Sequence, residues 1–247
     1  MESDRAAMDM ERQSGGYGIT HRLSAWAVHI FTGSGVVLGL LALLAIVEGN
    51  PRMVFLWLGI ALVVDGVDGT FARRAKVKDV LPAIDGSALD LVIDYMTYVV
   101  VPAVFLYWFG LLPPHMGLVG AGWILLTSLY CFANTGMKSS DNYFVGFPAI
   151  WNVVALYLWL LDLDPWFNVA VIAVLGLLTF TPVKFLHPFR VRTLMTLNIV
   201  VVSAWLVSGA WLVVTYPERP GLVFGVWLAT SAYYAVMCLW RTVRGPG

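Results

Sequence analysis

Residues 53–73 read MVFLWLGIALVVDGVDGTFAR, an apolar run whose last third carries Asp65 and Asp68 before it closes on Arg73. The run is long enough to cross a hydrocarbon core of ~30 Å as a helix. A carboxylate at membrane depth nevertheless costs at least a few kcal/mol unless it is paired or binds a cation. The next apolar run repeats the anomaly, as Gly86-Ser87-Ala88-Leu89-Asp90-Leu91-Val92-Ile93-Asp94. Four acids in two consecutive hydrophobic segments point to an all-α membrane protein that builds a polar site inside its own bundle.

Composition agrees. The 247 residues are 60% hydrophobic and only 12% charged, where a soluble domain is about a quarter charged; mean hydropathy is +0.80. Runs of spanning length fall near 23–48, 53–72, 86–109, 116–137, 144–162, 165–184, 193–215 and 221–240, which predicts a polytopic bundle of about eight helices. Net charge is zero and excludes nothing, but its distribution is informative. With the N-terminus inside, thirteen of the fifteen Lys and Arg residues are cytoplasmic and only Arg52 and Arg219 lie outside, a strong positive-inside bias that places both termini in the cytoplasm.

Residues 1–16 mix acids and bases and read as a disordered polar leader, with 17–244 a single transmembrane catalytic domain and no cleavable signal peptide. Tyr17, Ile19, Leu23 and Trp26, interleaved with His21 and Arg22, suggest that 17–27 lies along the cytoplasmic interface. Cys131 and Cys238 lack metal-ligand spacing and read as buried free thiols. Gly33, Gly35, Gly39, Gly59, Gly117, Gly120 and Gly122 suit close helix packing in lipid. No internal repeat is visible, so an inverted-repeat transporter plan gains no support.

Helical spacing arranges the acids. Asp65 and Asp68 are three apart and Ala72 four further, so they share a face; Gly86, Asp90 and Asp94 form a second stripe at intervals of four. A short antiparallel connection lets the stripes face each other one to two turns below the cytoplasmic surface. Hard oxygen donors of this kind suit Mg²⁺ or Mn²⁺, ions that also take substrate phosphate oxygens. Four carboxylates are enough for two ions, the arrangement used in in-line phosphoryl displacement. Gly69 and Ala72 leave the helix surface bare for a nucleotide or diphosphate, and Arg73 offers a fixed positive charge. Any one of these small or basic residues is better explained by packing or topology; four intramembrane acids together are not.

The pattern D-x2-D-G-x2-A-R followed by G-x3-D-x3-D resembles the signature of the CDP-alcohol phosphotransferase family, and each defining residue is present. One feature departs from the commonest form: twelve residues, Arg74 to Asp85, separate the Arg from the second Gly, where a shorter insert is usual. That insert, the leading Asp65-Gly66-Val67-Asp68-Gly69, the span number, and the stretches 141–152 and 184–192 are similar to the bacterial branch of the family that makes phosphatidylcholine. The resemblance covers roughly residues 20–240.

It implies that Asp65, Asp68, Asp90 and Asp94 hold two Mn²⁺ or Mg²⁺ ions and that Asp94 is the catalytic base. It further implies a CDP-diacylglycerol pocket lined by Gly69, Ala72, Arg73 and Gly86, with Lys138 and Arg190 on the lipid phosphates. The reaction would be attack of the choline hydroxyl on the β-phosphorus, giving phosphatidylcholine and CMP, in a bacterial inner membrane with the site facing the cytoplasm. A homodimer is a family expectation; no nucleic acid is expected.

Choline is a quaternary ammonium ion, which aromatic rings recognise by cation–π attraction. Tyr95, Tyr98, Tyr143, Phe147 and Trp151 are the candidates, with Asn152 available to orient a hydroxyl or phosphate. In a chain that is 14% aromatic, belt and core are the competing explanations for each ring. His29 reads as a satisfied polar contact in the first span.

Three rival readings remain at this level. One is the same family with serine, glycerol 3-phosphate, inositol phosphate or inositol as acceptor. Another is an intramembrane prenyltransferase, whose acidic motifs lie further apart. The third is an acid-lined cation transporter, which gives Asp68-Gly69-x2-Ala72-Arg73 no role.

Overall fold

The computed structural model describes residues 17–134, 143–186 and 194–244. The expected leader at 1–16 lies outside them. The first helix, α1 (Ile19–Val47), and α2 (Pro51–Arg74) form an antiparallel hairpin. Its turn is written in Asn50-Pro51: the Asn50 side chain accepts from the Met53 backbone N–H at 3.2 Å, and Pro51 occupies a position where no N–H is needed. A one-turn helix α3 (Val77–Val80) interrupts the polar connection. The Asp85 carboxylate then accepts from Ser87 N and Ala88 N at 2.9 and 3.2 Å and caps α4 (Gly86–Asp94).

The chain continues through a single π-helical segment, Tyr95–Val100, into α5 (Val101–Trp108). Pro102 explains the wide turn. It has no N–H for the carbonyl one α-turn back, and the helix absorbs the mismatch as a π-bulge without breaking. Next come α6 (Gly117–Ala133), α7 (Trp151–Leu161), α8 (Pro165–Leu178), α9 (Met195–Thr215) and α10 (Gly221–Arg244). The α8 turn repeats the earlier device, with the Asp164 carboxylate accepting from Trp166 N and Phe167 N ahead of Pro165.

Five stretches are long and apolar enough to cross a membrane: α1, α2, the composite Gly86–Trp108, α9 and α10; α6, α7 and α8 are shorter apolar helices. Large apolar side chains such as Leu118, Leu126, Val207 and Leu222 face outward, as lipid-facing helices require. The chain is an integral membrane protein.

Three expectations need adjustment. Residues 19–27 form the first turns of an unbroken 29-residue α1 and not a separate interfacial helix. Ala25 there packs on Val77, Val80 and Leu81, so the Arg74–Asp85 connection holds this end of α1. Residues 144–150 and 179–184 are not helical. Phe144–Val145 (β1) pairs antiparallel with Lys184–Phe185 (β2), Val145 opposite Lys184. Gly146 has φ +86°, and a Cβ there would meet the Thr179 carbonyl oxygen at 2.5 Å; with Pro148 and Pro182 close by, neither apolar run can stay helical. Finally, only four of the seven singled-out glycines receive a neighbour closely: Gly35, Gly39, Gly117 and Gly120. Gly33, Gly59 and Gly122 face open space.

The main core joins α2, α5 and α7, with Phe55 stacked on Trp159 at 5.1 Å and edge-on to Phe105 at 4.7 Å. Trp205 of α9 donates to the Tyr157 hydroxyl of α7 at 2.7 Å, and Tyr157 makes a short contact with Ser231 of α10. This polar chain inside the bundle joins the last hairpin to the rest.

Candidate active site

Helices α2 and α4 meet across α1 and turn their acidic stripes inward. Asp65, Asp68 and Asp90 each present a carboxylate oxygen, and these oxygens lie within 4.8 Å of one another. Asp94, one turn further along α4, borders the same cleft and makes a side-chain contact with Asp65. The cleft is narrow and is lined by these four aspartates with Thr32, Gly35, Ala61, Val64, Ile93 and Thr97. None of these ten residues is basic. Asp68 is only 6% exposed, so the mutual repulsion of the carboxylates is poorly screened by water. Converging hard oxygens without a neutralising side chain in the lining match the donor set of a divalent cation.

The rest of the motif is arranged around this point. Arg73, exposed at the end of α2, donates to Thr70 Oγ1 at 3.0 Å. Its guanidinium bends back over Gly69, where an added Cβ would stand 3.3 Å from Nη1. Ala72 packs against the α1–α3 cluster instead of opening on the cleft. Gly86 faces α1, with His29 Cε1 3.4 Å from where its Cβ would be. His29 is buried, and among the described residues its Nε2 has no hydrogen-bond partner, where a satisfied polar contact was expected.

The aromatic candidates separate. Tyr98 reaches the acids: its hydroxyl donates to Asp65 Oδ2 at 2.7 Å. None of the five rings lines the cleft itself; Tyr98 meets the acids through its hydroxyl alone. Tyr95 donates to the Leu125 carbonyl at 2.9 Å, on α6. Trp151 is fully buried and donates to Ser128 Oγ at 2.8 Å, and Asn152 Oδ1 accepts from Val153 N at 2.8 Å. Tyr143 is buried with Leu186 and Met237, 5.5 Å beneath the Arg241 guanidinium. Phe147 packs edge-on to Trp151. Lys138 and Arg190 lie outside the described residues.

The first helix contributes more than its sequence suggested. Thr32 and Gly35 form a wall of the cleft, and Thr97 of the π-segment closes its deep end with its hydroxyl on the Ile93 carbonyl at 3.1 Å. The signal was present in the spacing of His29, Thr32, Gly35 and Gly39, small or polar residues along one face of an apolar helix.

No family model matches the chain. Curated relatives do. It is 56% identical over 224 residues to the phosphatidylcholine synthase of Pseudomonas aeruginosa, covering 91% of this chain and 94% of the relative. It is 40% identical to that of Agrobacterium fabrum, covering 85% of this chain and 88% of the relative. For Borreliella burgdorferi the identity is 36%, covering 72% and 77% respectively.

Proposed function

Since the chain belongs to the phosphatidylcholine synthase family, we propose that its aspartate cleft transfers the phosphatidyl group of CDP-diacylglycerol to choline. The chain is an integral membrane enzyme that forms phosphatidylcholine; donor, acceptor and mechanism are the proposal. The observation that carries it is the convergence of Asp65, Asp68 and Asp90, from both halves of the motif, within 4.8 Å.

In this reading the choline oxygen forms a bond to the β-phosphorus of CDP-diacylglycerol, the bond from that phosphorus to the CMP oxygen breaks, and the choline hydroxyl proton passes to Asp94. CMP leaves with the electron pair. Asp65, Asp68 and Asp90 would hold Mg²⁺ or Mn²⁺, with Asp94 at the edge of the set and two ions in all. When bound, these ions supply the positive charge that offsets the diphosphate and the departing CMP. Asp94 suits the proton because it borders the cleft one turn beyond the three clustered acids. Arg73, exposed at the end of α2, would meet a phosphate oxygen, its guanidinium moving off Gly69 to admit the nucleotide against the helix. Tyr98, the one candidate ring whose side chain bonds an acid of the cleft, would take the ammonium group.

The site would open on the cytoplasmic side of a bacterial inner membrane. That orientation leaves the acyl chains in lipid and admits soluble choline from water.

The test is a panel. Purified protein in detergent receives CDP-diacylglycerol and Mn²⁺ with labelled choline, serine, glycerol 3-phosphate or inositol in separate reactions. CMP release with labelled phosphatidylcholine is expected in the choline reaction alone. Turnover with another alcohol would keep the metal site and replace the acceptor. Silence with all four, in folded protein, would remove the transferase reading.

A further inference from the structure

We infer that Tyr98 is a positioning residue: its hydroxyl locks the Asp65 carboxylate in one orientation and so completes the site that receives the divalent ion. The inference rests on the metal-site reading above. The hydroxyl donates to Asp65 Oδ2 at 2.7 Å, a short charge-assisted contact, and it spans from the third spanning segment to the second. A carboxylate held by such an outer donor keeps a fixed oxygen toward an ion, and loss of outer partners typically weakens metal affinity 10–100-fold.

Backbone geometry supports the assignment. Tyr98 sits inside the π-helical segment Tyr95–Val100, directly after the acidic stripe. A π-turn carries an extra residue, so side chains beyond Asp94 are re-aimed relative to a regular helix. Within that turn the neighbouring polar side chains are committed elsewhere: Tyr95 to the Leu125 carbonyl and Thr97 to the Ile93 carbonyl. Tyr98 alone of the three is aimed at the acids. Asp65 is also the carboxylate that Asp94 touches, so the hydroxyl and Asp94 approach one group from α4 and its continuation. Tyr98 thereby sets how Asp65 divides its two oxygens between ion and neighbours. Its ring packs against the main hydrophobic core, and Tyr98→Phe separates the hydroxyl's role toward Asp65 from any role of the ring toward choline.

The experiment is Mn²⁺ binding, followed by the loss of the free-ion electron paramagnetic resonance signal, for wild type, Tyr98→Phe and Asp68→Asn in detergent. Melting curves confirm folded protein, and Tyr98→Leu, also without the hydroxyl, is a second variant should the first prove unstable. Tyr98→Phe is expected to weaken Mn²⁺ binding at least about tenfold, while at saturating Mn²⁺ the choline KM stays within about twofold because the ring is kept. An unchanged Mn²⁺ affinity in folded Tyr98→Phe would overturn the inference while leaving the site intact. So would a large rise in choline KM at unchanged Mn²⁺ affinity, which would assign the hydroxyl to choline. Wild type that binds no more Mn²⁺ than Asp68→Asn would remove the metal-site reading itself, and the inference with it.

Discussion

A buried carboxylate is expensive enough that its surroundings reveal its use, and the four acids here are not equivalent. Asp65, Asp68 and Asp90 offer oxygens within 4.8 Å of one another, whereas Asp94 stands beside that group and contacts Asp65. A group at the edge of a cation site is better placed to accept a proton than to hold the ion. Asp94→Asn is therefore expected to lower kcat by about 10²–10⁴, the usual range for a lost general base, with CDP-diacylglycerol affinity in Mn²⁺ changed no more than a few-fold. Calorimetric titration beside CMP release checks this; loss of lipid binding along with turnover would make Asp94 chiefly a ligand. The acids were legible in sequence because no inexpensive structural role explains them. Of the aromatic rings Tyr98 was legible, four residues beyond Asp94 on the acids' stripe, and it donates to Asp65; nothing in the sequence tells that Trp151 is sealed against Ser128. Direction belongs to tertiary packing, which composition does not encode.

Helix starts are fixed where a polar cap meets a break. Asn50-Pro51, Asp85-Gly86 and Asp164-Pro165 each start a helix where the chain turns, and each cap is visible as a side-chain hydrogen bond. The runs 144–150 and 179–184 were misread as helix because hydropathy does not register a left-handed Gly146 packed under the Thr179 carbonyl. The α1–α4 seam matters most for function. A Cβ on Gly35 would lie 2.6 Å from Ile93 Cγ2, and Ile93 sits between Asp90 and Asp94. Adding that methyl must push α4 aside, at a cost of about 1–3 kcal/mol for an overpacked site. Gly35→Ala should thus lower both the melting temperature and the Mn²⁺ affinity. In an Ile93→Ala background the same change should cost little more, because the clashing atom is gone. A double-mutant cycle reads the coupling; strict additivity would mean that the seam relaxes without moving the acids.

At the scale of the whole molecule, charge and chain direction converge on one orientation. Helix order alternates direction, and contacts of α1 with α3 and of β2 with α10 gather the 17–18, 75–85, 143–150, 179–186 and 244 ends on one side. Of the ten Lys and Arg among the described residues, Arg22, Arg73, Arg74, Lys76, Lys78, Lys184, Arg241 and Arg244 fall on that side; Arg52 and Arg219 take the other. The acids lie nearer the basic side, since Asp65 and Asp68 are in the last turns of α2 and Asp90 and Asp94 follow the start of α4. Basic flanks are retained in the cytoplasm, so in the proposed reading the same asymmetry that orients the bundle would open the cleft toward soluble choline. Single cysteines test the orientation in a background with Cys131 and Cys238 replaced. Arg219→Cys is expected to react with a membrane-impermeant maleimide in cells whose outer membrane has been permeabilised. Lys78→Cys should react only once the inner membrane is opened. The reverse pattern would turn the bundle over and overturn the proposed cytoplasmic opening of the cleft. Because the acids of α2 and α4 converge across α1 into one cleft, an inverted bundle would carry that cleft with it.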